Sequence, residues 1–244
     1  MTKVVVFKTG EPPAEIESAR GTFFAWIRAA AGSHGVSEGG EWDEIDARDS
    51  DAVRAVTNVS CVIITGSPAS VADRLPWTVA LEAKVAELAA LHVPMLGICF
   101  GHQVIAQALG GVVVKNPRGR EMGTCPVRVL EADPLFEGLP DTLSLHMTHV
   151  DTVERLPPNA RLLATSPLDH HAAFAVGDNV RAVQFHPEFD HDIMTRYVAA
   201  RTDRILSEGL CVETIRKTIS PTEHGRAVID NFFRTFVYRQ IKAA

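Results

Sequence analysis

The stretch from Pro94 to Gln103, PMLGICFGHQ, carries the strongest structural signal in the chain. Its apolar first half predicts a buried strand and its second half the start of a helix, with Cys99 at the junction. Gly97 and Gly101 lie two residues to either side of Cys99. This is the G-x-nucleophile-x-G pattern of a nucleophile elbow, a turn so sharp that neighbouring backbone leaves no room for side chains. The pattern makes Cys99 a candidate nucleophile; the alternative is a small buried hydrophobic residue.

Strand-like and helical segments alternate before and after this stretch, which predicts an α/β fold with an open, mainly parallel sheet. The predicted strands on the N-terminal side are Val4–Phe7, a weaker one near Trp42–Asp46, and Cys61–Ile64. The predicted helices are Arg20–Ala31, Thr78–Leu91 and a helix that opens after Gly101 and ends at Gly110-Gly111. In the second of these helices Leu81, Val85 and Leu88 share one face, which we expect to pack on the sheet.

The second half of the chain changes to short strand-like runs and then to helices. The runs are Val112–Val114, Val127–Val129, Leu143–Leu145, Leu162–Ala164, Ala173–Ala175 and Ala182–Phe185. We expect some of them to be antiparallel additions at a sheet edge. Farther on, Ser220 and Glu223 have capping-box spacing with Pro221 at the first helical position, which predicts another helix. Without a linker or an internal repeat, residues 1–244 are interpreted as a single domain with a C-terminal helical extension from about residue 190.

Composition excludes several classes of function. The 244 residues are 46% hydrophobic and 22% charged and carry a net charge of −6, which is typical of a packed domain and not of a nucleic-acid-binding face. No apolar run approaches the roughly 18 residues of a membrane span. The apolar run at Val4–Phe7 is too short for a signal peptide, so we expect a cytoplasmic protein. The four cysteines (Cys61, Cys99, Cys125 and Cys211) form no C-x-x-C pair, which argues against disulfides and thiolate metal sites.

No cofactor or metal site is predicted. The chain has no G-x-x-x-x-G-K-[ST] phosphate loop. Three pairs or clusters contain histidine, but their spacing in the sequence does not place them at one site, whereas a zinc site needs three or four converging ligands. They are His146 with His149, His170 with His171, and Asp190-His191-Asp192. The charged segment Asn116–Glu121 is interpreted as a solvated turn between edge strands, with a part in shaping substrate entry as the alternative.

A candidate base and acid follow the last predicted strand. In an extended segment His186 and Glu188 point to the same side, and Pro187 restricts the backbone between them. Glu188 can then orient the imidazole and leave its other nitrogen for Cys99. A surface histidine in a turn is the alternative. The turn Thr65–Pro68 also follows a strand, and its N–H groups can join that of Phe100 to bind an oxyanion, unless it is an ordinary β-turn.

Together, Pro94–Gln103 and Gln184–Glu188 resemble the class I (triad-type) glutamine amidotransferase family, and most closely its stand-alone members similar to the amidotransferase part of GMP synthase. The resemblance implies a flavodoxin-like sheet with helices on both faces. It also implies the site: Cys99 as nucleophile, His186 as base, Glu188 as orienting acid, the backbone of Gly66, Ser67 and Phe100 as oxyanion hole, and Gln103, Thr148, His149 and Val150 as substrate-binding residues.

The implied reaction is hydrolysis of the glutamine side-chain amide through a cysteine thioester, releasing ammonia and glutamate without a cofactor. A separate synthase subunit would accept the ammonia, or the enzyme would only hydrolyse. One alternative is a hydrolase of γ-glutamyl peptides or conjugates with the same three residues, and a lesser one is a catalytically silent binding module. An α/β-hydrolase is disfavoured because its acid precedes its histidine in the chain, whereas Glu188 follows His186.

Overall fold

The computed structural model describes residues 2–32 and 40–238, without the side chain of Tyr238. Its strands are β1 (Lys3–Lys8), β2 (Glu41–Asp46), β3 (Cys61–Ile64), β4 (Met95–Ile98), β5 (Val112–Lys115), β6 (Glu121–Val129), β7 (Thr142–His149), β8 (Asp151–Arg155), β9 (Arg161–Thr165), β10 (Ala173–Val176) and β11 (Val180–Val183). Its α-helices are α1 (Ala14–Arg20), α2 (Phe23–Ala30), α3 (Ser50–Ala55), α4 (Pro76–Ala90), α5 (Phe100–Ala108), α6 (His191–Ala200), α7 (Thr202–Ser207), α8 (Val212–Thr218) and α9 (His224–Phe232). A π-helical segment, Phe233–Tyr238, continues α9.

The main sheet has nine strands in the order β2-β1-β3-β4-β11-β10-β9-β6-β7. The pairings from β2 to β11 are parallel, and the pairings from β11 to β7 are antiparallel. Strands β5 and β8 form a separate antiparallel pair. The predicted open, mainly parallel sheet with antiparallel strands at one edge is therefore confirmed. Within the described ranges, none of the helices has the length and hydropathy needed to cross a bilayer.

Helices cover both faces of the sheet, because the parallel strands are apolar on both sides. On one face Val4 and Val6 of β1 belong to a core that also contains α2 and α9 residues. On the other face Val5 and Phe7 belong to a core that includes the buried stripe of α4, Leu81, Val85 and Leu88. The predicted sheet-facing stripe of α4 is thus confirmed. The helices α6 to α9 follow residue 190, and residues 239–244 lie outside the described ranges.

Several local predictions are wrong. The helix expected at Arg20–Ala31 is two helices, because Gly21 has φ +85° and ends α1 while Thr22 caps α2. The last strand was predicted to reach Phe185 and to continue as an extended segment through Glu188. It ends at Val183 instead, and the chain bends and turns over residues 184–188. The capping box predicted at Ser220–Glu223 is absent, since α9 starts at His224 without a side-chain cap. The charged segment 116–121 is only partly solvated, because Asn116, Arg120 and Glu121 are buried.

Candidate active site

Cys99 lies at the carboxyl end of the central strand β4, in the turn that starts α5. Its backbone has φ 52° and ψ −100°, a conformation that L-residues rarely adopt and that the surrounding structure must stabilise. A Cβ at Gly97 would lie 2.5 Å from the carbonyl oxygen of Gly101, and a Cβ at Gly101 would overlap the carbonyl oxygen of Ile64. Both glycines are therefore required for the close approach of α5 to the sheet, as the elbow pattern predicts.

His186 and Glu188 reach Cys99 because β11 runs parallel to β4 and ends at the same edge of the sheet. Beyond β11 the chain turns, and the N–H of Phe189 donates to the carbonyl of His186. His186 Nδ1 and Glu188 Oε1 are 2.8 Å apart, and the imidazole interacts electrostatically with the Cys99 side chain. The turn thus brings the three predicted side chains together, although the extended geometry expected between His186 and Glu188 is wrong.

The electrostatic surroundings of Cys99 and His186 favour a thiolate on the first and an imidazolium on the second. Burial disfavours the charged form of Cys99, but the charge of His186 outweighs it, so the pKa of the thiol lies below its ordinary value. Burial also opposes protonation of His186, but Glu188 and Cys99 raise its pKa to about 10. The lowered pKa favours the thiolate, which is the nucleophilic form of a cysteine, more in Cys99 than in an isolated cysteine.

Aromatic rings pack against the imidazole of His186. The ring of Phe189 stacks on it with centroids 4.1 Å apart, and Phe23 of α2 lies 6.4 Å away, nearly parallel to it. The side chains of Cys99, His186 and Glu188 are all buried, with residue exposures of 6%, 3% and 6%. The orientation of the imidazole is therefore held by stacking as well as by the carboxylate.

The turn after β3 lies directly beside these three side chains. A Cβ at Gly66 would be 2.9 Å from Cε1 of His186 and 3.7 Å from Cβ of Cys99. The hydroxyl of Thr9 donates to the carbonyl of Gly66, and that of Ser67 donates to the carbonyl of Thr9, which positions the turn. Among the described residues the N–H groups of Gly66 and Ser67 have no acceptor. The N–H group of Phe100 has no acceptor within α5, because Phe100 is the first residue of that helix.

A cavity of about 500 Å³ opens in front of Cys99. Of the residues predicted for substrate and oxyanion binding, it is lined by Ser67, Phe100, Gln103, Thr148, His149 and Val150, whereas His186, Glu188 and Gly66 do not line it. The side-chain nitrogen of Gln103 already donates to the carbonyl of Asp151 and to Oε1 of Gln184. The hydroxyl of Thr148 is buried and has no hydrogen-bond partner within residues 2–32 and 40–238. The cavity thus brings together segments that are far apart in sequence.

The side chain of His149 is engaged with buried acids as well as lining the cavity. Its Nε2 is 3.2 Å from Oε2 of Glu121, and Nδ1 is 2.9 Å from the carbonyl oxygen of Asp151. Burial lowers the pKa of His149, but Glu121 and Asp169 outweigh burial and raise the pKa above its ordinary value. Cys99 and His149 also interact electrostatically, and the positive charge of His149 helps to lower the pKa of Cys99.

Four basic residues of the same cavity were missed by sequence reasoning. They are Lys115, Arg120, Arg201 and Arg204. Arg120 belongs to the charged segment that was expected to be a solvated turn. Only that segment's charge gave a signal in the sequence, because the other three residues belong to separate strands and helices. Among the residues that the structure describes, no group of three or more His, Cys, Asp or Glu side chains is arranged to hold a metal ion.

Comparisons with known proteins agree with the fold. The chain is 29% identical to "Gamma-glutamyl peptidase 4" of Arabidopsis thaliana over 214 residues, 83% of this chain and 84% of that protein. It is 36% identical over 174 residues to a glutamine-hydrolyzing GMP synthase of Aeropyrum pernix, covering 70% of this chain but only 32% of the synthase. A glutamine amidotransferase from Thermotoga maritima has the same fold, with a TM-score of 0.72, 20% identity, and 97% and 98% of the two chains covered.

The sequence profile of class I glutamine amidotransferases matches residues 27–202, which contain β4, the elbow and the turn after β11. This range is well over half of the chain. The chain therefore belongs to the class I glutamine amidotransferase family.

Proposed function

We propose that the chain hydrolyses a γ-glutamyl amide bond through a thioester on Cys99. The observation that carries this proposal is the arrangement of Cys99, His186 and Glu188, which are buried beside the cavity. In this arrangement the pKa of the thiol is lowered and that of the imidazole is raised. A structural cysteine in the core shows the opposite shift: burial raises the pKa of Cys61. The charge of His186 is thus the feature that distinguishes Cys99.

In the proposed mechanism the Cys99 thiolate attacks the carbonyl carbon of the amide. The N–H groups of Gly66, Ser67 and Phe100 bind the resulting oxyanion, and losing one such donor costs about 100- to 1000-fold in rate. The His186 imidazolium donates its proton to the departing nitrogen, which leaves the thioester. His186 then takes a proton from water as the water attacks the thioester, which releases glutamate and restores the thiolate. Glu188 keeps the imidazole oriented in both steps.

Glutamine is the first substrate we propose, with ammonia and glutamate as products. Because the match covers only 32% of the A. pernix GMP synthase, we propose that any ammonia acceptor is activated by a separate synthase subunit. Hydrolysis of γ-glutamyl peptides is the second candidate. It is favoured by the match over 84% of the length of Gamma-glutamyl peptidase 4. The single-domain organisation and the cytoplasmic location stay predictions.

A substrate panel tests the proposal. Glutamine, γ-glutamyl peptides and γ-glutamyl amines are incubated with the protein, and ammonia, free amine and glutamate are measured. We expect glutamate from at least one class, and loss of that activity in Cys99→Ala. Cys211→Ala is the matched control, because Cys211 is exposed and does not line the cavity that Cys99 faces. Product formation that survives Cys99→Ala contradicts the mechanism. Binding of glutamine without turnover supports a silent binding module instead.

A further inference from the structure

Basic side chains in the cavity have more hydrogen-bonding capacity than the protein itself uses. Arg120 makes a bidentate ion pair with Glu208, at 2.6 Å from Nε and 2.8 Å from Nη2. Its remaining nitrogen, Nη1, is buried and has no hydrogen-bond partner among the described residues, and the side chain as a whole is only 1% exposed. A buried donor left unsatisfied destabilises a protein, and a charged donor does so more strongly than a neutral one. Arg120 therefore has one donor available for a ligand.

Arg201, which follows α6, has no carboxylate within ion-pair distance among residues 2–32 and 40–238. Its guanidinium lies 5.3 Å from the ring centre of Tyr197. Burial lowers the pKa of Arg201, and the positive charge of Arg120 lowers it further. Tyr197 and Cys99 act in the opposite direction. An arginine keeps its charge in such surroundings, so an unpaired cation faces the cavity that contains Cys99.

The other charges of the cavity are largely balanced. Arg204 is 3.2 Å from Glu208, the same carboxylate that pairs with Arg120. Lys115 lies opposite Asp151 in the β5–β8 pair, and Asp73 also lines the cavity. Glutamine itself is a neutral zwitterion, with one carboxylate and one ammonium group. A γ-glutamyl amino acid has the same two groups and, in addition, a carboxylate on the departing amine. The unpaired arginine donors match this extra carboxylate.

We propose that Arg120 and Arg201 form a subsite for a carboxylate on the leaving group of a γ-glutamyl amino acid or peptide. The inference rests on the proposed function, since it places this carboxylate in the cavity that Cys99 faces. The cavity has room for it, because about 500 Å³ is in the range of pockets that hold drug-sized ligands. Two arginines also provide the planar donors that bind carboxylates best.

The test is a binding measurement that does not depend on turnover. In the Cys99→Ala variant, affinities for γ-glutamylglycine and γ-glutamylglycinamide are measured by calorimetry. The two compounds differ only in the leaving-group carboxylate. We expect the acid to bind about tenfold more tightly than the amide, as one charge-assisted contact allows. Adding Arg201→Gln should remove this preference and leave affinity for the amide within about threefold, whereas Arg201→Lys should retain part of it.

Arg196→Gln is the matched control, because Arg196 is an exposed arginine of α6 that pairs with Asp192. It should leave both affinities unchanged. Equal binding of the acid and the amide in Cys99→Ala overturns the subsite. So does an Arg201→Gln variant that weakens both compounds equally, because Arg201 would then contact the shared γ-glutamyl part. If the wild-type protein cleaves no γ-glutamyl compound but the preference is found, the proposed function fails and the subsite stands.

Discussion

Two buried cysteines show how one neighbour changes the chemistry of a residue. Cys61 of β3 and Cys99 are both excluded from solvent, yet the pKa of Cys61 is raised and that of Cys99 is lowered. Burial acts in the same direction on both thiols. The difference comes from the imidazole of His186, whose charge lowers the pKa of Cys99, whereas burial is the one cause that acts on Cys61. Reactivity at this site therefore depends on His186.

Replacing His186 with asparagine should raise the pKa of Cys99, because burial then acts without the opposing imidazolium. Each unit of increase lowers the thiolate fraction about tenfold below the pKa. We expect alkylation of Cys99 by iodoacetamide at pH 7 to slow by about tenfold or more, and the midpoint of its pH profile to move upward. Peptide mass spectrometry follows each cysteine separately. Exposed Cys211 is the internal control, and an unchanged Cys99 profile would contradict this account.

The sequence allowed Cys99, His186 and Glu188 to be selected because each lies in a short local pattern: an elbow between glycines, and an acid two residues after a histidine. The structure brings them together, and their catalytic roles remain our proposal. Arg120 and Arg201 could not be selected in this way. Their surroundings come from the packing of separate segments, and an arginine after a helix is usually solvated.

At the scale of elements, the antiparallel strands β6 and β7 carry a buried ion pair. Glu121 and His149 are direct partners in the register of the two strands, and Ser166 donates a hydrogen bond of 2.6 Å to the same carboxylate oxygen. Burial raises the pKa of Glu121, but His149 and Ser166 outweigh it and the net shift is downward. The pair also supports the end of β7, which lines the cavity.

Glu121→Gln should lower the free energy of unfolding by about 1–3 kcal/mol, because it removes one of the two carboxylates beside the buried imidazole of His149 and leaves Asp169, 3.9 Å from Nδ1, as the other. Urea denaturation measures this loss. Glu131→Gln, which removes an exposed partner of Arg161, is the control and should change stability by less than about 1 kcal/mol.

The loss should also depend on pH. The stabilisation from Glu121 is present above its ordinary pKa of 4.5 and is lost as pH falls through the lowered value. The stabilisation from His149 is fully present below the ordinary histidine pKa of 6.5, and it is lost as pH rises through the raised pKa of His149. The difference between the two proteins should therefore be largest between these limits. A difference that grows steadily at alkaline pH would contradict the ion pair.

The errors at helix ends have two different origins. The boundary between α1 and α2 could have been predicted, because Gly21-Thr22 combines a residue type that ends helices with one that caps them. In the structure the side chain of Thr22 accepts a hydrogen bond from the N–H of Ala25. The missing capping box at residues 220–223 was not readable. Thr222 donates to the carbonyl of Ser144 on β7, so a contact distant in sequence replaces the local one.

For the whole molecule, the C-terminal helix α9 shares a core with the sheet. Phe232 of α9 is fully buried together with β1, β3 and β4 residues. Phe232→Ala should therefore destabilise the protein by about 3–5 kcal/mol and shift a single unfolding transition seen by circular dichroism and by tryptophan fluorescence. Leu206→Ala, at a 58% exposed position, is the control. Two separate transitions would contradict the prediction of one domain.

The burial of Cys99, His186 and Glu188 has a consequence for how the site responds to the ionic strength of its medium. Dissolved ions weaken attractions between exposed charges over about 8 Å at physiological ionic strength, but buried pairs are screened much less. The three groups are almost inaccessible, and the face of an aromatic ring covers the imidazole. The balance between the neutral and the charged forms of the thiol is therefore nearly insensitive to salt.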